Sequence, residues 1–349
     1  MDNVKQVKVP QLRVCVSDIC DKHCFYCRPR GESISTTKKI NKLSADEFVY
    51  FINAVAKAGV SVIRFTGGEP MLNVDIYKII KSVKNIPEVK EVSVVTKSGR
   101  LKDEAPLLKQ AGLDSITISL DSLNNERLEM ITGVNELDRM IEGIYTCREI
   151  GFPVRINTVI LKDVNDDEVE EFINFVGKLG PGTWKLIDYM ILPSKFSIDK
   201  NMKYFLNLNE TILPRLRKLG KESKAKFSIQ AGGLGSPMPE FIMTNGVHVI
   251  VRDSTIGSHY SDICKTCNLY PCQDAIMALR LTADGKLQRC LYRDDNLIDL
   301  KLYDKEVELN QIIKKVLNTY IFSEFYLKAW QPIQIRNRRK TATKGRKEI

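Results

Sequence analysis

Over the first two-thirds of the chain, short runs rich in Val and Ile alternate with stretches whose apolar positions recur every three or four residues. The runs suit strands buried in a sheet, and the second spacing makes one apolar face on a helix. Leu12 to Ser17 reads as the first strand. Ser44-Ala45-Asp46-Glu47 is a capping box, since Ser44 and Glu47 can each bond the other's backbone N–H, and it predicts a helix through about Lys57. Val60 to Phe65 is a second strand, closed by Gly67-Gly68. A helix near Asp75–Val83 precedes a strand at Glu91–Val95, and a helix at about Lys102–Ala111 precedes Ser115–Leu120. A helix near Leu137–Ile150 leads into Val154–Ile160, and a helix opened by Asn165-Asp166-Asp167-Glu168 leads into a sixth strand, Trp184–Met190.

Six strand-then-helix steps predict a parallel sheet with right-handed crossovers. Candidate functional residues fall at the C-terminal ends of most strands, which fits a barrel better than an open sheet. The expectation is an α/β fold: a partial (β/α)6 TIM-like barrel over residues 1–231, a smaller cysteine-rich domain over 232–335, and a basic tail over 336–349. The boundary is set in the Gly/Pro-rich segment Gly232–Pro237, after a helical stretch at 208–224, and a helix near Leu309–Ile321 precedes the tail. No stretch approaches the roughly 18 apolar residues of a membrane helix, and Met1–Gln6 opens no apolar stretch of signal-peptide length. The expected setting is the cytoplasm, with no membrane partner.

Charge narrows the partners. There are 53 Lys and Arg against 43 Asp and Glu, a net +10, of which +6 lies in 336–349. The mildly basic body suits an anionic small molecule. The tail lacks the interleaved aromatics that stack on bases, so nucleic acid fits poorly. Nine cysteines are many for a reducing compartment, where disulfides are disfavoured. Cys15 and Cys147 stand alone and read as buried core. The other seven form two groups, Cys20, Cys24, Cys27 and then Cys264, Cys267, Cys272, Cys290, which points to metal or iron–sulfur ligation.

Cys20-x3-Cys24-x2-Cys27 lies in the loop after the first strand. Three thiolates in eight residues can hold three corners of a cubane and leave its fourth iron to an exogenous chelator. Structural zinc normally takes four protein ligands, and only His23, squeezed against Cys24, is at hand as a fourth. Cys20-x3-Cys24-Phe25-Tyr26-Cys27, with Thr66-Gly67-Gly68-Glu69-Pro70 ending the second strand, resembles the signature of radical S-adenosylmethionine (SAM) enzymes. Leu12-Arg13, Arg64, Ser119-Leu120-Asp121, Asn165-Asp166-Asp167-Glu168 and Leu281-Thr282-Ala283-Asp284-Gly285-Lys286 narrow the likeness to the molybdenum cofactor biosynthesis protein A (MoaA) family of GTP 3′,8-cyclases, from about Leu12 to Leu300.

The resemblance implies a 4Fe-4S cluster on Cys20, Cys24 and Cys27, whose open iron chelates SAM and whose electron releases a 5′-deoxyadenosyl radical that takes hydrogen from the substrate. It places Tyr26, Gly67, Gly68, Glu69, Pro70, Ser119 and Met190 along SAM. Nucleotide-binding positions fall on Arg13, Arg64, Thr96, Arg155 and Arg280, with Arg280 also the catalytic candidate. A flavodoxin- or ferredoxin-type reductant follows as partner.

By the same likeness, Cys264, Cys267 and Cys290 hold a second 4Fe-4S cluster with an iron open to guanine. Here the chain departs from the family. Leu269 to Met277 reads as an insertion carrying Cys272, which could be a fourth ligand that closes that iron; four thiolates would also satisfy zinc. Ala278 stands where the family has an arginine, Val62 where it often has lysine, and the chain ends Glu348-Ile349 rather than Gly-Gly. These departures touch the substrate, not the radical machinery. They favour a paralogue that performs the same radical step on another small molecule or a peptide, possible in nucleotide-derived or natural-product biosynthesis. The alternatives are a GTP 3′,8-cyclase of molybdopterin biosynthesis, and a non-enzymatic iron–sulfur or nucleic-acid-binding protein.

Overall fold

The computed structural model describes residues 4–6, 11–27, 42–180, 182–189, 202–223, 238–253, 279–290, 295–319 and 321–323. The main chain begins with β1 (Val4–Gln6) and β2 (Leu12–Ser17), then α1 (Ala45–Lys57), β3 (Val62–Gly67), α2 (Ile76–Lys84), β4 (Glu91–Thr96), α3 (Leu101–Gln110) and β5 (Ser115–Ser119). Two helices follow, α4 (Asn125–Thr132) and α5 (Leu137–Glu149), then β6 (Val154–Ile160), α6 (Val169–Lys178), β7 (Thr183–Asp188) and α7 (Leu208–Leu219). The remaining elements are β8 (Gly220–Glu222), β9 (Glu240–Met243), β10 (His248–Arg252), β11 (Leu279–Leu281), β12 (Lys286–Gln288), β13 (Leu297–Asp299), α8 (Glu306–Asn318) and β14 (Ile321–Ser323).

Strands β2 to β7 lie in chain order and pair in parallel, as six successive βα steps require. Two further parallel strands flank them, β11 beside β2 and β10 beside β7. Antiparallel strands finish each edge, giving the order β13-β12-β11-β2-β3-β4-β5-β6-β7-β10-β9-β8. The edges do not meet among the described residues, so this is a partial barrel. Strands from beyond residue 232 thus continue the sheet at both ends. A separate ribbon pairs β1 with β14.

The Val and Ile content implies strands apolar on both faces, but the faces differ. Outward residues such as Val14, Phe65, Val94, Ile118, Ile156 and Trp184 are buried beneath Phe48, Ile52, Ile80, Leu108 and Phe172 of the helices. Inward positions alternate with them, and many are polar: Arg13, Arg64, Ser93, Thr117, Arg155 and Lys185. An inner face that lines a ligand cavity is buried without being apolar.

The capping box at Ser44 forms, and α1 ends at Lys57 as the pattern predicts. Helix α4 is absent from the sequence reading because only three of its eight residues are apolar, Leu128, Met130 and Ile131, and Met130 faces solvent; the signals were Asn124, whose side chain accepts the Arg127 N–H, and Gly133, which closes it at φ +75°. The helical stretch expected at 208–224 stops at Leu219, because Gly220 turns extended into β8. Helix α8 runs three residues earlier than expected, from Glu306 to Asn318.

Trp184 is fully buried, stacks on Phe172 with centroids 5.1 Å apart, and donates its Nε1–H to Thr158 Oγ1 at 2.9 Å. Trp184→Ala should therefore cost about 3–5 kcal/mol of stability, read as a lower denaturant midpoint.

Candidate active site

The cysteine loop continues from the C-terminal end of β2. It is fastened to the end of α4, the helix that the sequence hid: His23 N–H donates to the Thr132 carbonyl at 2.8 Å and Phe25 N–H to that of Ile131 at 3.2 Å. Buried Lys22 pairs with Glu136 at 2.8 Å, and Phe25 packs on Tyr204 with centroids 4.6 Å apart. Cys27 N–H donates to the Cys24 carbonyl at 2.9 Å, closing a tight turn. Cys20 and Cys27 are exposed and Cys24 half-buried. Among the described residues no three His, Cys, Asp or Glu side chains gather as a single metal ion would need. A cubane takes each thiolate on a different iron and tolerates wider spacing. Cys15 and Cys147 are buried in the core, as expected of lone cysteines.

The glycines after β3 lie against this loop. A Cβ on Gly67, which has φ +152°, would stand 2.2 Å from the Ser17 carbonyl oxygen, and one on Gly68 2.3 Å from that of Ile19. The close approach lets Gly68 N–H donate to Ser17 at 2.6 Å and Glu69 N–H to Ile19 at 2.8 Å. Glu69 is buried and faces inward rather than to solvent. Its carboxylate accepts from Thr96 Oγ1 at 2.5 Å, the Lys97 N–H at 2.8 Å and the Met71 N–H at 3.1 Å. Burial pushes it up to about 7 despite those donors. Pro70 opens the short helical turn Pro70–Leu72, where its missing N–H costs nothing. Thr96, expected on the substrate, has its hydroxyl on Glu69.

A second buried carboxylate gathers the next two strand ends. Asp121 accepts from Tyr26 Oη at 2.5 Å and from the Val159 N–H at 2.9 Å, and it pairs with Lys97. Asn165 donates to the Asp121 carbonyl at 2.5 Å and accepts the Leu161 N–H at 2.7 Å. Glu168 accepts from Ser122 Oγ and the Leu123 N–H, both at 2.7 Å. The Asn165–Glu168 motif is thus a clamp between the ends of β5 and β6, with Ser119 the last residue of β5. Burial and Asp121 push the Tyr26 phenol well up; burial works against the Lys97 charge, but Asp121 more than restores it. Lys97 escaped the sequence reading because it lies one residue past a strand end.

Cations line the inner face lower down. Parallel register aligns Arg280 with Arg13 and Arg13 with Arg64, three guanidiniums abreast on β11, β2 and β3. Arg155 on β6 and Arg252 on β10 act on the same space, since each perturbs Lys185 on β7, as Arg13 and Arg64 do, and Arg155 also perturbs Arg64. Burial and Arg155 push Arg64 down to about 10, still charged at neutral pH. Burial, then Arg252, Arg13, Arg64 and Arg155, push Lys185 well below the ordinary lysine range. Lys185 and Arg252 were not singled out in the sequence; their inward phase in Trp184–Met190 and in β10 is the signal that could have found them.

Apart from Arg252, which ends β10, these cations do not sit at strand C-termini. Arg13 precedes Ser17 by four residues, which puts the cationic floor roughly 13 Å below the cysteine loop at about 3.3 Å per residue. Strand β12 runs antiparallel to β11 with Gln288 opposite Arg280, so Cys290 lies beyond the floor, at the end away from Cys20, Cys24 and Cys27. Asn296 holds it there, accepting the Cys290 N–H at 2.9 Å. Met190, Cys264, Cys267, Cys272, Ala278 and the tail lie outside the described residues.

Residues 14–176 match the family model described as Radical SAM superfamily. A GTP 3′,8-cyclase of Listeria welshimeri is 32% identical over 308 residues, spanning 88% of this chain and 86% of the relative. The chain belongs to the MoaA family of radical SAM proteins. A MoaA-family relative in Clostridium acetobutylicum, also a GTP 3′,8-cyclase, is 29% identical over 91% of both chains. In fold, the chain is similar to Streptococcus suis SuiB bound to S-adenosylmethionine, with TM-score 0.61 and 16% identity over 91% of this chain and 69% of that one. As a MoaA-family radical SAM protein it is an enzyme that uses SAM and 4Fe-4S clusters, acting on a small molecule or a peptide. The residues present fit that group: three thiols on one anchored loop, beside a glycine cradle that any Cβ would fill.

Gly68→Ala places a methyl against the Ile19 carbonyl and the Cys20 N–H, so it should displace the cysteine loop while the helices persist. Equilibrium dialysis should then show loss of SAM binding with an unchanged far-ultraviolet circular dichroism spectrum.

Proposed function

We propose that the protein is a GTP 3′,8-cyclase. The observation that carries this reading is the floor of inward cations, Arg280, Arg13, Arg64, Arg155 and Lys185, which demands a polyanion such as a triphosphate. The kinship to GTP 3′,8-cyclases supports it. It moves ahead of the paralogue that the sequence departures favour by themselves, because those departures leave the floor cationic.

In this reading Cys20, Cys24 and Cys27 hold the first cluster, and Tyr26, the Gly67–Pro70 segment, Ser119 and Met190 hold SAM. Cys264, Cys267 and Cys290 hold the second cluster. When bound, cluster and SAM supply a 5′-deoxyadenosyl radical that takes hydrogen from the substrate. The chain's own part is geometric. Arg13, Arg64, Arg155 and Arg280 grip the phosphates, so the nucleoside is set between the two cysteine groups. Thr96 and Glu69 keep the rim of β3 and β4 closed over it, and a flavodoxin- or ferredoxin-type reductant in the cytoplasm provides electrons. Val62 opens β3 as a half-exposed apolar residue where the family often has lysine, and this favours the second reading: a paralogue on another anion, with Cys272 closing the second cluster.

Anaerobic reconstitution with SAM and dithionite tests the choice. GTP should raise 5′-deoxyadenosine formation and be converted to a cyclised product. Arg13→Ala or Arg280→Ala should raise the GTP KM about ten- to a hundredfold, the worth of one charged phosphate contact. SAM cleavage that no nucleoside triphosphate stimulates would select the paralogue.

Lys185 provides a separate readout. At a pH above its depressed pKa, Lys185 is neutral without ligand, and a bound polyanion favours its charged form. GTP binding should therefore take up protons, seen as a binding enthalpy that varies with the ionisation enthalpy of the buffer; Lys185→Met should abolish that dependence.

A further inference from the structure

Lys97 has contacts that neither the sheet nor the substrate floor explains. It is only 9% exposed, one residue past β4. Its ammonium donates to the Asp121 carboxylate, to Tyr26 Oη at 2.9 Å and to Cys24 Sγ at 3.7 Å. Asp121 is immobilised by the Val159 N–H, the Tyr26 hydroxyl and the Asn165 amide on its carbonyl, so the cation cannot swing away from the sulfur. A lysine needed only to balance Asp121 has no cause to stand against a thiol. We propose that Lys97 sets the reduction potential of the cluster that Cys24 ligates, by donating a charged hydrogen bond to the ligand sulfur. The inference rests on Cys20, Cys24 and Cys27 as ligands of that cluster, and it is independent of the substrate.

The physical reason is charge. One electron from the reductant protein adds one negative charge to the cluster and its thiolates. A fixed cation with an N–H aimed at one of those sulfurs stabilises the more negative state. Burial strengthens the effect, since little water screens it. The Lys97 proton stays on Nζ throughout, and no bond is made or broken. Lys97 is thus a positioning residue that eases reduction. If it only fastened Tyr26 to Asp121, its replacement would leave the potential unchanged.

The test is a redox titration followed by electron paramagnetic resonance, on the reconstituted full-length chain without GTP. The cluster of Cys20, Cys24 and Cys27 is picked out by the response of its signal to SAM. Lys97→Met should lower the equilibrium constant for one-electron reduction at least tenfold, a shift of about 59 mV to more negative potential. Lys97→Arg, which keeps charge and donor, should stay within about threefold of wild type. An unchanged potential in Lys97→Met at full iron content overturns the proposal. Should Lys97→Met fail to load iron, Lys97→Gln is titrated against the same criterion. If neither neutral variant loads iron while Lys97→Arg does, the cation serves cluster assembly and the proposal is also overturned. Cys24→Ala checks the ligand assignment separately: a full SAM-responsive signal in that variant would remove the ligand on which the inference rests, whatever the potential of Lys97→Met.

Discussion

Parallel strand register sets Arg280, Arg13 and Arg64 side by side on the inner face, and much else follows from that alignment. Like charges in a medium of effective dielectric near 20 repel by up to about 4 kcal/mol at 4 Å. The sheet holds them together because its outer face is fully committed to packing beneath the helices. Stability is drawn from that outer layer, and the inner face is free to be electrostatically costly. The depressed Lys185 and Arg64 are the visible sign of the cost. In the proposed reading a bound polyanion relieves it.

At the other end of the same strands, two buried carboxylates do the opposite work. Glu69 gathers donors from Thr96, Lys97 and Met71, and Asp121 gathers Tyr26, Lys97 and Val159. Each ties neighbouring strand ends into one rim, and through Tyr26 and the glycine cradle that rim holds the cysteine loop. Lys97 bridges the two: its N–H is on Glu69 and its ammonium on Asp121. The cysteine loop and the cationic floor are thus separated by strand length.

The elements of the barrel were legible in the chain because local rules decide them. Alternating apolar runs, the Ser44 capping box and Gly67-Gly68 act over a few residues, and the three close cysteines carry their chemistry in their spacing. Helix α4 was hidden because its buried apolar face is short, Leu128 and Ile131, and its ends are set by the Asn124 and Gly133 caps and the cysteine loop bonded to it. Arg13, Arg64, Arg155 and Arg280 were found only through family likeness, since nothing in composition distinguishes them from surface arginines.

Sequence alone therefore determined the βα order and the family, each set by neighbours along the chain. Tertiary structure alone decided which cations share one cavity. Arg280 meets Arg13 only because β11 returns to pair with β2, across more than two hundred residues, and Arg252 reaches Lys185 because β10 adds beside β7; no local pattern encodes either pairing. It also decided the partners of Lys97, because Cys24 and Asp121 come from different strand ends and meet only when the sheet curls.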